Sequence, residues 1–115
     1  MTSVKDMVAR AVQFRDERDW KQFHDGKELA IGLTAEAAEL LAMMRFRKGK
    51  DLEAYIAAHK EEVSDELADV LYFVLLISHD LGIDLVEAQK NKLRKTALKY
   101  PIEKAKGSPT KYTEY

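Results

Sequence analysis

The sequence predicts an all-α fold, and three observations predict it. Only five glycines and two prolines punctuate 115 residues. Gly26, Gly49, Gly82 and Gly107 fall between periodic segments, and Pro101 and Pro109 fall near the end, a pattern that long helices with few turns leave. Apolar residues recur at intervals of three and four, the period of a helix face, and no stretch alternates as a half-buried strand does. Four or five helices fit the punctuation.

The first helix starts at Ser3, which with Asp6 resembles a capping box, aspartate standing for the usual Glu or Gln. Val4, Met7, Val8, Ala11, Val12 and Phe14 form its apolar stripe, which fades at Arg18-Asp19; Trp20 to Gly26 reads as a loop or short turn. A second helix is predicted from Lys27 to Phe46, with a seam of Leu29, Leu33, Glu36, Leu40 and Met43. Lys48-Gly49-Lys50 stops it, with cations near the C-terminus and glycine just beyond. The third helical region runs from Asp51 to Leu81, either unbroken or as a short helix to Ala58 followed by a longer one. Its seam is Val63, Leu67, Val70, Val74, Ile77 and Leu81, flanked by a row of Glu62, Glu66, Asp69, Phe73 and Leu76. Gly82 ends it. Asp84 with Glu87 starts a fourth helix, Leu85 to Lys99, which Pro101 ends. Residues 102–115 are polar with isolated tyrosines and read as a tail that orders only by docking, so residues 1–101 are the expected domain.

Composition narrows the function. Hydrophobic residues at 46% and charged residues at 34% describe one soluble globular domain. With no cysteine there is no disulfide, thiolate nucleophile or cysteine-bound zinc. The start has no apolar signal-peptide core, and the longest apolar run, Val70 to Ile77, is far short of the ~20 residues that span a bilayer, so a cytoplasmic location and no membrane partner are expected. A formal net charge of -1 argues against a nucleic-acid partner. The all-apolar run Val70 to Ile77 suggests a helix surrounded by protein, and a chain this small buries its apolar faces better by pairing, which predicts an oligomer.

Two carboxylate pairs carry the chemistry: Glu36 with Glu39, and Glu66 with Asp69. Each is spaced i, i+3, so both acids of a pair share one helix side, and each pair abuts an apolar seam. A single such pair is ordinary surface decoration. Two pairs on the seams of consecutive helices would converge if those helices packed antiparallel, and buried unpaired carboxylates repel one another. A hard divalent cation removes the conflict, and all-oxygen ligation points to Mg²⁺ or Mn²⁺. A di-iron bundle would need Glu-x-x-His pairs, and none of His24, His59 and His79 has a glutamate three residues before it. Such cations bind substrate phosphates and activate water. Neither a P-loop nor a dinucleotide-binding glycine motif is present, so phosphates would be held through the metal and by lysine or arginine.

The ordered set E-x-x-E, spacer, E-x-x-D, here Glu36-Ala37-Ala38-Glu39 and Glu66-Leu67-Ala68-Asp69, resembles the signature of the MazG-like all-α nucleoside triphosphate pyrophosphohydrolases. Upstream, Arg18-Asp19-Trp20-Lys21-Gln22-Phe23-His24 is similar to the dCTP pyrophosphatase branch; downstream, Lys99-Tyr100-Pro101-Ile102-Glu103-Lys104 is similar to the family's ending. The resemblance implies hydrolysis of a (d)NTP to the monophosphate and pyrophosphate, in a role such as nucleotide-pool cleansing. It implies Mg²⁺ on Glu36, Glu39, Glu66 and Asp69, with Glu36 or Glu39 orienting the attacking water. It also implies a helical bundle assembled as a homodimer or a dimer of dimers. In the branch pattern Trp20 and Phe46 sandwich the base, Phe46 standing where tryptophan is usual, and His24 hydrogen-bonds the base or a phosphate. Lys92 takes a phosphate contact, and Thr96 stands where asparagine is usual. Ala35 replaces a further glutamate found in many members, and Glu62 reads as an exposed helix residue. Two other readings are a non-catalytic helical oligomer that senses nucleotides or binds a partner, and a phosphoribosyl-ATP pyrophosphohydrolase.

Overall fold

The computed structural model describes residues 1–115, which form six α-helices and no strand. In chain order these are α1 (Val4–Glu17), α2 (Gly26–Met44), α3 (Gly49–Ala58), α4 (Lys60–Asp80), α5 (Leu85–Lys99) and the single turn α6 (Ile102–Ala105), with 3₁₀ turns at Lys21–Phe23 and Tyr112–Glu114. No helix is long and apolar enough to cross a membrane. The chain divides into two compact units, Met1–Gly82 and Ile83–Tyr115.

Local chemistry sets the boundaries in the first unit. Ser3 and Asp6 make the reciprocal capping box: the Ser3 hydroxyl accepts from Asp6 N–H at 3.1 Å, and the Asp6 carboxylate accepts from Ser3 N–H at 3.0 Å. Asp25 caps α2 by accepting from Glu28 N–H at 2.7 Å. The helix stops at Met44, two residues before the predicted Phe46: the Arg47 N–H donates to the Met44 carbonyl at 3.0 Å in a tightened last turn, and the Arg47 guanidinium caps the Met43 carbonyl at 2.7 Å. Gly49 opens α3 rather than terminating α2, with a left-handed φ of 58°. The third region is two helices. His59 leaves helical geometry (ψ 33°), with its ring stacked on Tyr55 at 4.0 Å between centroids and its Nδ1 2.9 Å from the Tyr55 carbonyl.

Helix α4 is the centre of the first unit and packs against α2, α1 and α3. Leu75 and Leu76 of α4, Leu29 of α2 and Ala11 of α1 are buried, and they place the core at the C-terminal half of α4. Helices α2 and α4 approach closely at Gly32. A Cβ there would sit 2.4 Å from Cε1 of Phe73, so only glycine admits the ring. Other apolar residues of the same helices stay open: Leu41, Leu67, Ile31 and Leu71 are exposed. The Val70–Ile77 run is therefore only partly covered within one chain, since Leu71 faces out while Leu75 and Leu76 are buried.

The second unit holds α5 and the C-terminal residues. Asp84 caps α5, accepting from Glu87 N–H at 3.1 Å. The polar tail is ordered by docking inside its own unit. The Tyr112 and Tyr115 rings meet Tyr100 edge-on at 5.5 and 5.9 Å, and the Lys99 ammonium lies 5.0 Å from the Tyr112 ring.

Candidate metal and nucleotide site

The Gly32–Phe73 approach determines what lies one turn further along each helix. Glu36 follows Gly32 by four residues on α2, and Asp69 precedes Phe73 by four on α4, so the helices run antiparallel with their acids facing. Carboxylate oxygens of Glu36, Glu66 and Asp69 all lie within 4.8 Å of one another. Glu36 and Glu66 are half-buried, and Asp69 is exposed. Glu39, one turn beyond Glu36, is exposed and stands outside this trio.

The trio has no internal counter-charge, since none of its members takes part in an ion pair. The Glu66 carboxyl pushes Glu36 above the ordinary glutamate range, and burial and the charges of Asp69, Glu66 and Glu39 push the same way. Glu66 Oε2 is buried without a hydrogen-bond partner. Such an orphaned acceptor costs free energy unless a donor or cation meets it. Three hard oxygen donors, mutually repelling and with one acceptor unsatisfied, fit a hard divalent cation.

Trp20 is 41% exposed and its ring meets Phe14 edge-on at 5.8 Å. His24 is half-buried, and its Nδ1 is buried and unpartnered. Phe46 lies just past the end of α2 and is 86% exposed, with the Arg45 guanidinium 4.9 Å over its ring. Lys92 and Thr96 are on α5, in the second unit, Lys92 exposed and Thr96 half-buried.

One feature escaped the sequence reading. Arg15, on α1, is 1% exposed and makes a two-pronged ion pair with Asp80 at the end of α4, both bonds 2.8 Å. Hydrogen bonding to Arg15, opposed by burial, holds the Asp80 carboxyl below the usual carboxylate range. The signal was present: Arg15 follows Ala11 by four residues and Val8 by seven, so a cation sits on the apolar stripe itself. A charge at a seam position requires a buried partner, but its identity, 65 residues away, is not a local property.

The profile of the MazG-like family matches residues 31–115. Proteins named dCTP pyrophosphatase 1 from Mus musculus and Homo sapiens are each 27% identical over 114 residues, 97% of this chain and 67% of theirs. The crystal structure of a pyrophosphatase from Archaeoglobus fulgidus superposes with a TM-score of 0.81 at 33% identity, covering 88% of this chain and 94% of that one.

Proposed function

Because this chain belongs to the MazG-like family and is by class a nucleotide pyrophosphatase, we propose that it hydrolyses a (d)NTP between its α- and β-phosphates, in a Mg²⁺-dependent reaction, to (d)NMP and pyrophosphate. The observation that carries the metal dependence is the unpaired trio Glu36, Glu66 and Asp69 with its orphaned Glu66 oxygen. These three, joined by Glu39 one turn along α2, are the residues that would hold Mg²⁺, with Mn²⁺ as a substitute. Bound there, the ion supplies charge neutralisation for a triphosphate and lowers the pKa of a water.

The chain's own residues supply orientation and proton transfer. Glu36 or Glu39 orients the attacking water and accepts its proton as the new bond to the α-phosphorus forms. The bond from the α-phosphorus to the bridging oxygen breaks, and pyrophosphate leaves. Trp20 and Phe46, both exposed aromatic faces, stack on the base, and the free Nδ1 of His24 hydrogen-bonds the base or a phosphate. Lys92 and Thr96 follow the family pattern as phosphate contacts. In this reading residues 1–101 form the catalytic domain, residues 102–115 a polar tail, and the role is nucleotide-pool cleansing. The uncovered apolar residues Ile31, Leu41, Leu67 and Leu71 on the helices that bear the acids favour assembly as a homodimer or homotetramer.

The test is hydrolysis of a panel of canonical and modified (d)NTPs and phosphoribosyl-ATP, with and without Mg²⁺, resolving all phosphate products. Pyrophosphate formed from a triphosphate only when the cation is present supports the reading. No pyrophosphate from any nucleoside triphosphate refutes it, and turnover confined to phosphoribosyl-ATP would replace it.

A further inference from the structure

We propose that Arg15, Asp80 and Lys21 form a positioning device for nucleotide binding, an ion-paired strap, buried at Arg15 and open to solvent at Lys21, that holds the 18–24 segment so that Trp20 and His24 meet the base in a fixed geometry. The proposal rests on the nucleotide reading of Trp20 and His24 above and adds the residues that act through them.

The segment is tied at both ends to this one cluster. Helix α1 closes with a left-handed turn. Asp19 takes a φ of 53°, its N–H donates to the Asp16 carbonyl at 3.0 Å, and the Trp20 N–H donates to the Arg15 carbonyl at 3.2 Å. This is the paired hydrogen-bond pattern of a Schellman turn, with aspartate where glycine is usual. The apolar contact that accompanies such turns is present as Trp20 on Phe14. Gln22 locks the turn, donating to the Asp19 carbonyl and carboxylate at 3.0 and 2.9 Å. The backbone of Arg15 therefore sets where Trp20 leaves α1, and its guanidinium is fixed by Asp80 through two parallel bonds.

The other end is tied through Lys21. Its ammonium lies 3.4 Å from Asp80 Oδ2 and 3.4 Å from the His24 carbonyl. A continuous path runs from the α1 carbonyl that holds Trp20, through Arg15, Asp80 and Lys21, to the backbone of His24. Stability alone is a poor reason for this arrangement, because a buried ion pair gains little over an apolar pair of the same volume. What it supplies is geometry. The guanidinium–carboxylate fork has one orientation, and it holds in register the two residues flanking a solvent-exposed turn.

The experiment uses the full chain and its single tryptophan. KM and kcat for the best nucleotide of the panel, and acrylamide quenching of Trp20 emission, are measured for Lys21→Met, Lys21→Arg, Asp80→Asn and Trp20→Ala, quenching being omitted for the last. Lys21 is half-exposed, so Lys21→Met leaves the core intact. Lys21→Met is expected to raise KM about three- to fivefold with kcat within about twofold, and to make Trp20 more accessible to the quencher. Lys21→Arg is expected to restore both readouts. Asp80→Asn is expected to raise KM further, by on the order of tenfold or more, provided circular dichroism shows it folded. If Trp20→Ala raises KM while Lys21→Met leaves KM and quenching at wild-type values, the positioning device is overturned and the nucleotide role of Trp20 stands. If Trp20→Ala itself leaves KM unchanged, the nucleotide role falls and the device falls with it. A fall in kcat with unchanged KM in Lys21→Met also overturns the proposal.

Discussion

Gly32→Ala tests whether the close approach of α2 and α4 builds the acidic site. The added Cβ would lie 2.4 Å from Phe73 Cε1 and 2.5 Å from Cζ, against an ordinary carbon contact of about 3.5 Å. The ring or the helix must therefore give way by roughly 1 Å. Two effects oppose each other in stability. Alanine in a helix interior gains about 1 kcal/mol over glycine, and overpacking costs about 1–3 kcal/mol, so a net loss of about 0–2 kcal/mol is expected. The effect on the site is sharper, because Gly32 lies one turn from Glu36 and Phe73 one turn from Asp69. A shift of that size separates the carboxylates, and Mg²⁺ demands near-ideal octahedral geometry. Urea unfolding measures the first effect, and the Mg²⁺ concentration for half-maximal turnover the second. That concentration is expected to rise by about tenfold or more, with partial recovery in the double variant Gly32→Ala/Phe73→Leu, which makes room for the methyl. A Gly32→Ala protein that is about 1 kcal/mol more stable, with unchanged Mg²⁺ dependence, would show that propensity outweighs packing here and would refute the reasoning.

Further outcomes follow from the same structure. Glu66→Gln and Asp69→Asn are expected to lower turnover by at least about a hundredfold while leaving helix content, read by circular dichroism, unchanged; retained turnover would remove these acids from the site. A chelator is expected to abolish pyrophosphate release, and added Mg²⁺ to restore it, in the same assay. Asp80 has a folded-state pKa below its unfolded value, so its contribution to stability is fully present above the unfolded pKa and is lost as pH falls through the folded one. Asp80→Asn should flatten the loss of stability of wild type measured between about pH 5 and pH 2; an acid limb as steep as wild type would count against the pair. Asp25→Ala removes the α2 cap and is expected to cost about 1 kcal/mol in urea unfolding, whereas Asp25→Asn, which can still accept from Glu28 N–H, should cost little.

The sequence alone determined the helical class, the caps at Ser3 and Asp84, the stop at Gly82 and the two acid pairs, because each is a local pattern. A cap needs its partner three residues on, and a helix face repeats every three or four residues. Only the tertiary structure decided what depends on distant segments meeting. It brought Glu36 to Glu66 and Asp69 through a contact at Gly32, the one glycine inside a helical pattern, whose partner Phe73 no local pattern names, while Glu39, equal to Glu36 in the sequence pattern, stayed exposed and outside the trio. It paired Arg15 with Asp80, tied Trp20 and His24 to that pair, and ordered the tyrosine-bearing tail on Tyr100. The physical reason is the range of the forces involved. Hydrogen-bonded caps and helix periodicity act within a turn, whereas steric fit between helices and the pairing of buried charges are settled only when the chain is packed.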